Sequence, residues 1–581
     1  MNDIISIFKK DLLNIVDNLR HKKIIKEFNN NSLSIDYLSK SKKGDLSTNL
    51  YIILSKKIID KKFSLENYLT ESIHNLEYIK NIHFNKGFIN INFDKNYLIS
   101  KIQDIFLNKN NYGNNNSGNN KKINLEFVSA NPTGPIHLAH MRGAVFGDVL
   151  ASMLESIGYT VTREYYVNDT GSQIEILGNS LFVRYQQLLG INISLSLNEY
   201  PGDYLKDMAQ IIVNSDNDKW IKSSVPDRKI YFEKFATNYL IDNIKKDLSL
   251  ININFEKFTY ESNIISNKFI DKIFKLLKDK NLLYEGVLEK PKGEDDFNLS
   301  PRKQLLFRST NFSDDKDRPF KKSNGDWTYF ANDAAYHYEK YTRGFVKLIN
   351  IWGSDHIGYI SRMKSISEVI SEKENYLEVQ ICQIVRLIKN GNLVKMSKRD
   401  GNFITLKYIF DEVGKDPLRY FMVSSKNETP MDFDIDKVIE KNKDNPVFYC
   451  QYAYARASSV INKSKKYKSL SNVNLQNSIT NFNISYISSY EWEIILKILT
   501  WPYLLNQSAY LKQPHKITNY LEDICSNFHS FWNKGKDDSS LRFIDESNFE
   551  KTITKLIWIE SFRIVLKRAF KIIGIDFFEN M

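Results

Sequence analysis

An apolar strand pattern, a turn rich in proline and glycine, and a long helical pattern follow one another between residues 123 and 158. Residues 123–128 (INLEFV) are apolar and β-branched, which predicts a buried strand. Within residues 141–157 the apolar side chains recur at helical spacing, and Gly158 is typical of the position just after a helix. Strand, turn and helix in this order predict the opening unit of a doubly wound nucleotide-binding fold.

Two histidines, His137 and His140, lie where this turn meets the predicted helix. They are three residues apart, so their side chains share roughly one face. Free backbone N–H groups and the positive end of the helix dipole favour a phosphate there, and imidazoles can donate hydrogen bonds to its oxygens as charge develops. Capping or core histidines are the alternative, because a bare His-x-x-His motif is a weak signal.

A second charged segment, 394–402 (VKMSKRDGN), holds three cations within five residues. Together with Gly401, this composition predicts a mobile basic loop. Taken alone, such a run is most often a solvated surface patch.

Both segments resemble signatures of class I aminoacyl-tRNA synthetases. Segment 129–140 (SANPTGPIHLAH) resembles the His-Ile-Gly-His signature, and with RGAVFGD and REYYVND downstream it resembles the arginyl-tRNA synthetase version. Segment 394–402 matches the Lys-Met-Ser-Lys loop of the same class. One departure is Ala139, which stands where the signature usually has a glycine that lets adenine approach the backbone.

The resemblance implies an α/β fold: a class I synthetase Rossmann-like catalytic domain with an N-terminal α+β additional domain and a C-terminal all-α anticodon-binding bundle. Strand-like and helix-like segments alternate from about 121 to 410, as such a catalytic domain requires. The predicted divisions are 1–107 for the N-terminal domain, 108–120 for a polar low-complexity linker, 121–410 for the catalytic domain with a connective peptide inserted at about 174–290, and 411–581 for the helical domain.

The resemblance also implies the reaction. The carboxylate of arginine attacks the α-phosphate of ATP, giving arginyl-adenylate and pyrophosphate, and the 2′-OH of the terminal tRNA ribose then takes the arginyl group. Mg²⁺ travels with the ATP, held mainly by phosphate oxygens and water. Cations stabilise charge on the leaving pyrophosphate, so the predicted catalytic residues are His137, His140, Lys395 and Lys398.

The ATP-binding residues that the resemblance implies are Pro132, Gly134, His137, His140, Gly353, Asp355, Met396, Ser397 and Lys398. The first signature as a whole comprises Ala130, Asn131, Pro132, Thr133, Gly134, Pro135, Ile136, His137, Leu138, Ala139 and His140.

A site that selects arginine needs a rigidly held carboxylate and a planar partner, because guanidinium is a planar fork of donors that is always charged. Tyr329 and Asp333 meet this need, since four residues apart on a helix they share a face. From the residues alone, Asp333 is equally an N-cap or a surface acid, and Glu126 equally belongs to a structural ion pair. The arginine-binding residues that the resemblance implies are Glu126, Ser129, Asn131, His140, Tyr329 and Asp333.

Two regions are expected to contact tRNA. The strings GDLSTN (44–49) and GFIN (87–90) resemble the family's N-terminal domain, which contacts the tRNA elbow. The element Asp416-Pro417-Leu418-Arg419 resembles the Asp-Ala-Leu-Arg string of its helical domain, and the aromatic residues that follow can stack on unpaired bases or form core. The predicted tRNA-binding residues are Asn49, Asn90, Tyr449, Tyr452 and Arg456.

Composition adds little. A net charge of +12 suits a polyanionic partner such as nucleic acid, but abundant Lys, Asn and Ile also reflect an AT-rich genome. The three cysteines, Cys382, Cys450 and Cys525, are far apart, so neither a zinc site nor a disulfide framework is expected. We find no apolar segment long enough to span a membrane and no signal-peptide core, and we expect a cytoplasmic monomer.

Three rival interpretations remain open at the level of sequence. A cofactor adenylyltransferase shares the His-x-x-His fold but lacks a long helical C-terminal domain. The second is another class I synthetase, such as a cysteine or glutamate enzyme. Cysteine enzymes use zinc, and the absence of a cysteine cluster in the sequence argues against that choice. A tRNA-binding protein without catalysis is the third, which Ala139 favours slightly and the intact Lys395 and Lys398 oppose. The family resemblance also predicts that arginine activation requires tRNA.

Overall fold

The computed structural model describes residues 3–37, 44–60, 62–287, 303–312, 314–394 and 404–580. Its strands are β1 (Ile35–Tyr37), β2 (Leu46–Thr48), β3 (Ile79–Asn85), β4 (Phe88–Phe93), β5 (Lys122–Glu126), β6 (Thr160–Val167), β7 (Lys257–Tyr260), β8 (Leu283–Gly286), β9 (Gln304–Phe307), β10 (Arg318–Lys321), β11 (Lys347–Gly353), β12 (Leu377–Cys382), β13 (Val385–Lys389), β14 (Asn392–Leu393) and β15 (Met431–Asp434).

The helices are α1 (Ile4–His21), α2 (Leu50–Ser55), α3 (Leu65–His74), α4 (Lys95–Ser100), α5 (Ile102–Asn108), α6 (Leu138–Ser156), α7 (Ser172–Leu188), α8 (Tyr204–Asp216), α9 (Val225–Leu250), α10 (Glu261–Ser266), α11 (Phe269–Asp279), α12 (Tyr329–Thr342), α13 (Ile360–Ser371), α14 (Leu406–Val413), α15 (Lys415–Met422), α16 (Ile435–Val438), α17 (Pro446–Ser464), α18 (Ser489–Leu511), α19 (His515–Asp537) and α20 (Phe549–Ile573).

The N-terminal part is an antiparallel sheet, in the order β1-β2-β4-β3, combined with helices. Helix α1 has the amphipathic spacing that buries Phe8, Leu12 and Leu19 completely, and Phe8 packs edge-on against Phe93 of β4. The predicted α+β character of this part is therefore confirmed.

The central sheet is parallel, in the order β12-β11-β5-β6-β7. Strand β5 is followed by α6 and pairs with β6, whereas β11 pairs with the other edge of β5. Strand order therefore reverses between β5 and β11, and in doubly wound sheets ligands bind at the carboxyl ends of the strands at such a point. Four of the five residues of β5 are buried, as expected for a strand covered on both faces.

Two groups of elements lie between the strands of this sheet. Helices α7, α8 and α9 connect β6 to β7 and have their own apolar core around Tyr185 and Phe232. Helices α10 to α12 and the antiparallel sheet β10-β9-β8 connect β7 to β11. The insertion predicted at about 174–290 thus contains β7, which belongs to the central sheet. The sequence did not reveal this strand because it is only four residues long and lies between helices.

Helices α17 to α20 form the C-terminal bundle, which confirms the predicted all-α character. Segment 108–120, predicted as a linker, is firmly packed between this bundle and α6. Trp501 Nε1 donates to the Tyr112 carbonyl at 3.1 Å, and the Gly118 N–H donates to the carbonyl of Ile157, just beyond α6, at 2.8 Å. The backbone N–H groups of this segment thereby hydrogen-bond to carbonyl groups that the end of α6 leaves unpaired.

None of the described helices is long and apolar enough to cross a lipid bilayer.

Candidate active site

The turn after β5 has a strained backbone. Val128 and Ser129 have φ values of +66° and +40°, which a β-branched residue such as valine rarely adopts. Neighbours hold the turn in place, since the Tyr165 hydroxyl donates to the Ala130 carbonyl at 2.8 Å and the Tyr166 N–H donates to Ser129 Oγ at 3.1 Å. Strain of this kind persists only where the surroundings enforce it, and it concentrates at functional sites.

The two histidines of the first signature stand side by side at the start of α6. His137 is the N-cap residue, and its ring centroid lies 4.0 Å from that of His140. The His137 N–H donates to His140 Nδ1 at 3.4 Å, so the second ring helps to cap the helix. Both side chains are half-buried, at the end of a helix where an anion is favoured.

Helix α6 lies very close to β5. A Cβ atom on Gly147 would collide with the ring of Phe127, so this crossing requires glycine. Ala139, in contrast, is exposed in the first turn of the helix. Of the remaining signature residues, Pro132 is buried, and Thr133 and Gly134 are covered by Tyr204 of α8, whose hydroxyl donates to the Thr133 carbonyl at 2.6 Å.

The carboxyl end of β11 adjoins the first signature, because Asn350 of β11 pairs with Glu126 of β5. Gly353 and Asp355 follow three and five residues later. The Asp355 carboxylate folds back over Gly353, onto the place that a Cβ atom would take there. The Asp355 side chain is 79% exposed and lies 3.4 Å from His356 Nε2. It is therefore accessible to a ligand in the crevice between the two strands.

Helix α12 presents Asp333 near the same strand ends. Burial raises the pKa of Asp333 to about 7, the negative charges of Glu261 and Glu126 contribute, and a hydrogen bond from the Tyr359 hydroxyl opposes them. Within the described part of the chain, no cation lies within ion-pair distance of this carboxylate. Tyr329, one helical turn earlier, is 69% exposed. The predicted pair thus consists of a poised carboxylate and an accessible aromatic ring.

Glu126 is already paired. Its Oε2 lies 2.5 Å from Lys340 Nζ, and its Oε1 accepts from Ser129 Oγ at 3.1 Å. Lys340 is fully buried. The predicted role of Glu126 toward a guanidinium stays a prediction, in which this carboxylate would share its charge between Lys340 and the substrate. Lys340 stands seven residues after Asp333, on the same helix face, and this spacing is the signal that sequence reasoning missed.

A hydrogen-bonded chain joins Asp333 to this ion pair. His337 Nδ1 lies 2.8 Å from the Asp333 carbonyl, Asn350 Nδ2 lies 3.1 Å from His337 Nε2, and Lys340 Nζ donates to Asn350 Oδ1 at 3.4 Å. Burial lowers the pKa of His337 to about 3, with a further contribution from the charge of Lys340, so the ring is neutral at pH 7. His337 is therefore a buried neutral residue that connects Asp333 to Asn350 through both of its ring nitrogens.

The second signature falls outside the described residues, and so do Lys395, Met396, Ser397 and Lys398. The chain that follows it directly contacts the first signature. The Leu138 N–H donates to the Ile404 carbonyl at 3.2 Å, and the Leu406 N–H donates to the Ile136 carbonyl at 2.9 Å. Residues 404 and 406, on the carboxyl side of the second signature, therefore lie against the first signature, although over two hundred residues separate them in the sequence.

The predicted tRNA contacts of the N-terminal part are engaged internally. Asn90 is only 3% exposed, and its Oδ1 accepts from Ser47 Oγ at 2.9 Å. Asn49 accepts from the Ser34 N–H at 2.9 Å and donates to the Ser32 carbonyl at 3.0 Å. Both amides connect segments of their own domain, and their predicted contacts with tRNA stay predictions.

The predicted contacts of the bundle form an aromatic surface with one arginine. Arg456 lies over the rings of Tyr452, at 4.2 Å, and Trp532, at 5.2 Å. Its Nη1 donates to His529 Nδ1 at 2.9 Å, and His529 Nε2 donates to the Tyr449 carbonyl at 3.0 Å. Burial lowers the pKa of His529 to about 4, so Arg456 carries the charge of this surface. Trp532 and His529 lie about 80 residues from Tyr452 and were not predicted.

Among the described residues, no group of three or more His, Cys, Asp or Glu side chains is arranged to hold a metal ion. Glu126 is paired with Lys340, and Glu164 with Arg343, so these two buried carboxylates already have partners of opposite charge.

Three protein families match this chain in succession. The arginyl tRNA synthetase N terminal domain matches residues 2–93, the catalytic domain of class I (R) tRNA synthetases matches residues 101–443, and the DALR anticodon binding domain matches residues 450–581.

Similar proteins agree with these matches. An arginine–tRNA ligase of Ehrlichia ruminantium (strain Welgevonden) is 40% identical over 545 residues, 94% of this chain and 93% of the relative. One from Orientia tsutsugamushi (strain Boryong) is 39% identical over 582 residues, 98% and 97% of the two chains. A crystal structure of a putative arginyl-tRNA synthetase from Campylobacter jejuni superposes with a TM-score of 0.72 at 30% identity, covering 84% of this chain and 100% of that one. With family matches along almost its whole length, the chain belongs to the arginyl-tRNA synthetases, the arginine–tRNA ligases of class I.

Proposed function

We propose that the residues at the carboxyl ends of β5 and β11 carry out the family's reaction, the ligation of arginine to tRNA. The observation that carries this proposal is the meeting of three features at one sheet edge: two adjacent imidazoles at a helix start, the exposed Asp355, and a carboxylate on α12 without an ion-pair partner among the described residues. An anion, a ribose and a cation are the groups that these features suit.

In the first step, the carboxylate of arginine attacks the α-phosphate of ATP. The P–O bond to the β-phosphate breaks, and pyrophosphate leaves with the electron pair. His137 and His140 donate hydrogen bonds to the phosphate oxygens as charge develops. We assign stabilisation of the pyrophosphate to Lys395 and Lys398, a role supported by the contacts that hold residues 404–406 against the first signature. Magnesium enters with the ATP.

ATP binds along the crevice between β5 and β11. The adenosine lies near Pro132, Gly134 and Gly353, and Asp355 accepts hydrogen bonds from the ribose hydroxyls. Met396 and Ser397 complete the site in this proposal. The exposure of both Ala139 and Asp355 supports it, because neither side chain is buried within the protein.

Arginine binds with its guanidinium on Asp333 and Tyr329. A charged fork in the site lowers the pKa of Asp333 from about 7, because an adjacent positive charge favours the ionised carboxylate. Ser129 and Asn131 are assigned to the amino-acid end, where Asn131 Nδ2 already donates to Gln173 Oε1 at 2.9 Å. Glu126 is assigned to the guanidinium as well, in addition to its contacts with Lys340 and Ser129.

In the second step, the 2′-OH of the terminal ribose of tRNA attacks the carbonyl of the adenylate, and AMP leaves. The tRNA is held by the surface of Tyr449, Tyr452 and Arg456 on α17, where aromatic faces and a charged guanidinium suit bases and phosphates. We further propose the division into residues 1–107, 108–120, 121–410 and 411–581, a monomeric state and a cytoplasmic location.

The test is ATP–pyrophosphate exchange with each amino acid in turn, with and without unfractionated tRNA. We expect exchange with arginine alone, and only in the presence of tRNA. Exchange with another amino acid would contradict the roles of Tyr329 and Asp333. If no amino acid supports exchange, the chain is a binding protein, and Ala139→Gly is the first variant to examine.

A further inference from the structure

One arginine joins four helices at the centre of the molecule. Arg419 of α15 is fully buried. Its Nη2 donates to Asp148 Oδ2 of α6 at 2.5 Å, its Nη1 to the carbonyl of Ile251 just after α9 at 2.7 Å, and its Nε to the carbonyl of Ile573 in α20 at 2.8 Å. All three nitrogens of the guanidinium are thus used, and each one contacts a different helix region.

The end of α20 is fitted to this guanidinium. Gly574 follows α20 with φ at +74°, and a Cβ atom there would collide with the guanidinium of Arg419. Asp148 also accepts from Arg163 Nε at 3.3 Å, so its orientation is fixed from two sides. A buried charge pair with complete hydrogen bonding tolerates little displacement, because any loss of contact leaves a charge uncompensated.

The residue that Arg419 holds lies on the helix of the two histidines. Asp148 is eight residues after His140 on α6, about 12 Å along the helix axis. A second buried arginine, Arg142, lies in the first turns of α6 and donates to the carbonyls of Lys426 at 2.7 Å and Thr429 at 2.5 Å, in the connection after α15. Helix α6 is therefore fixed to α15 and its continuation at two points.

The same helix α15 contacts α17, the helix that carries Tyr449, Tyr452 and Arg456. Gln451 lies between Tyr449 and Tyr452 in α17, and its Nε2 donates to Asp416 Oδ2 at 2.8 Å and to the Asp576 carbonyl at 3.0 Å. Asp416 is three residues before Arg419 in α15. Helix α15 thus contacts both α17, which carries the proposed tRNA surface, and α6, which begins with the two histidines.

We infer that Arg419 is a positioning residue for the reaction: by holding Asp148 against α15, α9 and α20, it sets the position of His137 and His140 relative to the tRNA-binding bundle. This inference rests on the proposed function. A displacement of about 1 Å at reacting groups costs as much as a hundredfold in rate, so a small loosening of α6 is sufficient to be measured.

The test compares Arg419→Lys with a matched control, Arg568→Lys. Arg568 of α20 is also buried, and its Nη2 donates to Ser156 Oγ at the opposite end of α6, at 2.7 Å. For each full-length variant we would measure arginine-dependent pyrophosphate exchange with tRNA, separating kcat from KM, together with the Kd for tRNA and the melting temperature.

We expect Arg419→Lys to lower kcat about tenfold or more, with Kd for tRNA and KM for arginine within about twofold of the parent, and Arg568→Lys to keep kcat within about twofold. Equal losses of kcat in the two variants, or a change confined to KM, would overturn the inference. If Arg419→Lys does not fold, Asp148→Asn replaces it with the same expectations. Absence of exchange in the parent protein would instead contradict the proposed function.

Discussion

Two acidic residues, Asp333 on helix α12 and Glu164 on the neighbouring strand β6, have pKa values shifted in opposite directions. Glu164 is fully buried, accepts from Arg343 Nη2 at 2.7 Å and from Thr259 and Tyr336, and although burial alone would raise its pKa, the charges of Lys340 and Arg343 lower it. Burial raises the pKa of Asp333 to about 7, and the hydrogen bond from the Tyr359 hydroxyl and the more distant charge of Arg362 offset this rise only in part. The paired carboxylate stabilises the fold, whereas the other retains the capacity to bind a cation.

The largest expected effect is that of Asp333→Asn on arginine recognition. Losing one partner of a charged hydrogen-bonded pair costs about 2–5 kcal/mol, which corresponds to roughly 30- to several-thousand-fold in kcat/KM for arginine. Steady-state aminoacylation measures it. Because the substitution removes a buried charge, the free energy of unfolding should not fall, and a large loss of stability would contradict the distinction between the two carboxylates.

Glu164→Gln should show the opposite behaviour. It breaks a buried ion pair and leaves Arg343 with the ion pair to Glu339, at 3.0 Å, in place of two, which costs about 3 kcal/mol of the free energy of unfolding. Urea denaturation checks this value, with Glu155→Gln, at a partly exposed ion pair with Arg163, as the matched control for which we expect a change below about 1 kcal/mol. Equal effects of the two substitutions would show that the buried pair has no special weight.

The pH dependence of arginine binding should distinguish Asp333 from Glu164, because the pKa of Asp333 is raised and that of Glu164 is lowered. If arginine binds the ionised form of Asp333, as proposed, KM for arginine should fall about tenfold per pH unit as pH rises toward 7 and level off above it. The contribution of Asp333 to the free energy of unfolding changes in the opposite direction, falling as pH rises. Its folded pKa exceeds its unfolded value, so its stabilising contribution is present below about pH 4 and is lost as pH rises through about 7. A KM that is constant between pH 6 and 8 would contradict this account.

The smallest expected effect is that of Tyr359→Phe. It removes the hydroxyl that donates to Asp333, a contribution of about 1 kcal/mol, and should raise KM for arginine about fivefold. The pH midpoint of KM should move upward, because the ionised carboxylate loses a donor. Tyr338→Phe, on α12 with Asp333, is the control, for which we expect no shift in the pH midpoint of KM.

Much of the fold follows from local pattern. The strand, turn and helix around His137 are as predicted because neighbouring residues specify each of them. Residues 123–128 are apolar and β-branched, the turn is rich in proline and glycine, and the helix has apolar side chains at helical spacing. Lys340 and Ser47, the partners of Glu126 and Asn90, were not predicted, since they are 214 and 43 residues away in the sequence. Tyr359 and Trp532 were missed for the same reason: residues brought together only by tertiary packing leave no periodic signal in the sequence.

The central claim is that Asp333 is partly protonated until arginine binds. Isothermal titration of arginine into the protein with tRNA, in buffers of different ionisation enthalpy, measures the protons released. A carboxyl group with a pKa of about 7 that binds arginine as the carboxylate should release about half a proton at pH 7.0 and close to none at pH 8.5. Proton release that is absent at pH 7.0, or that grows toward pH 8.5, would contradict the assignment of Asp333 as the arginine-binding carboxylate.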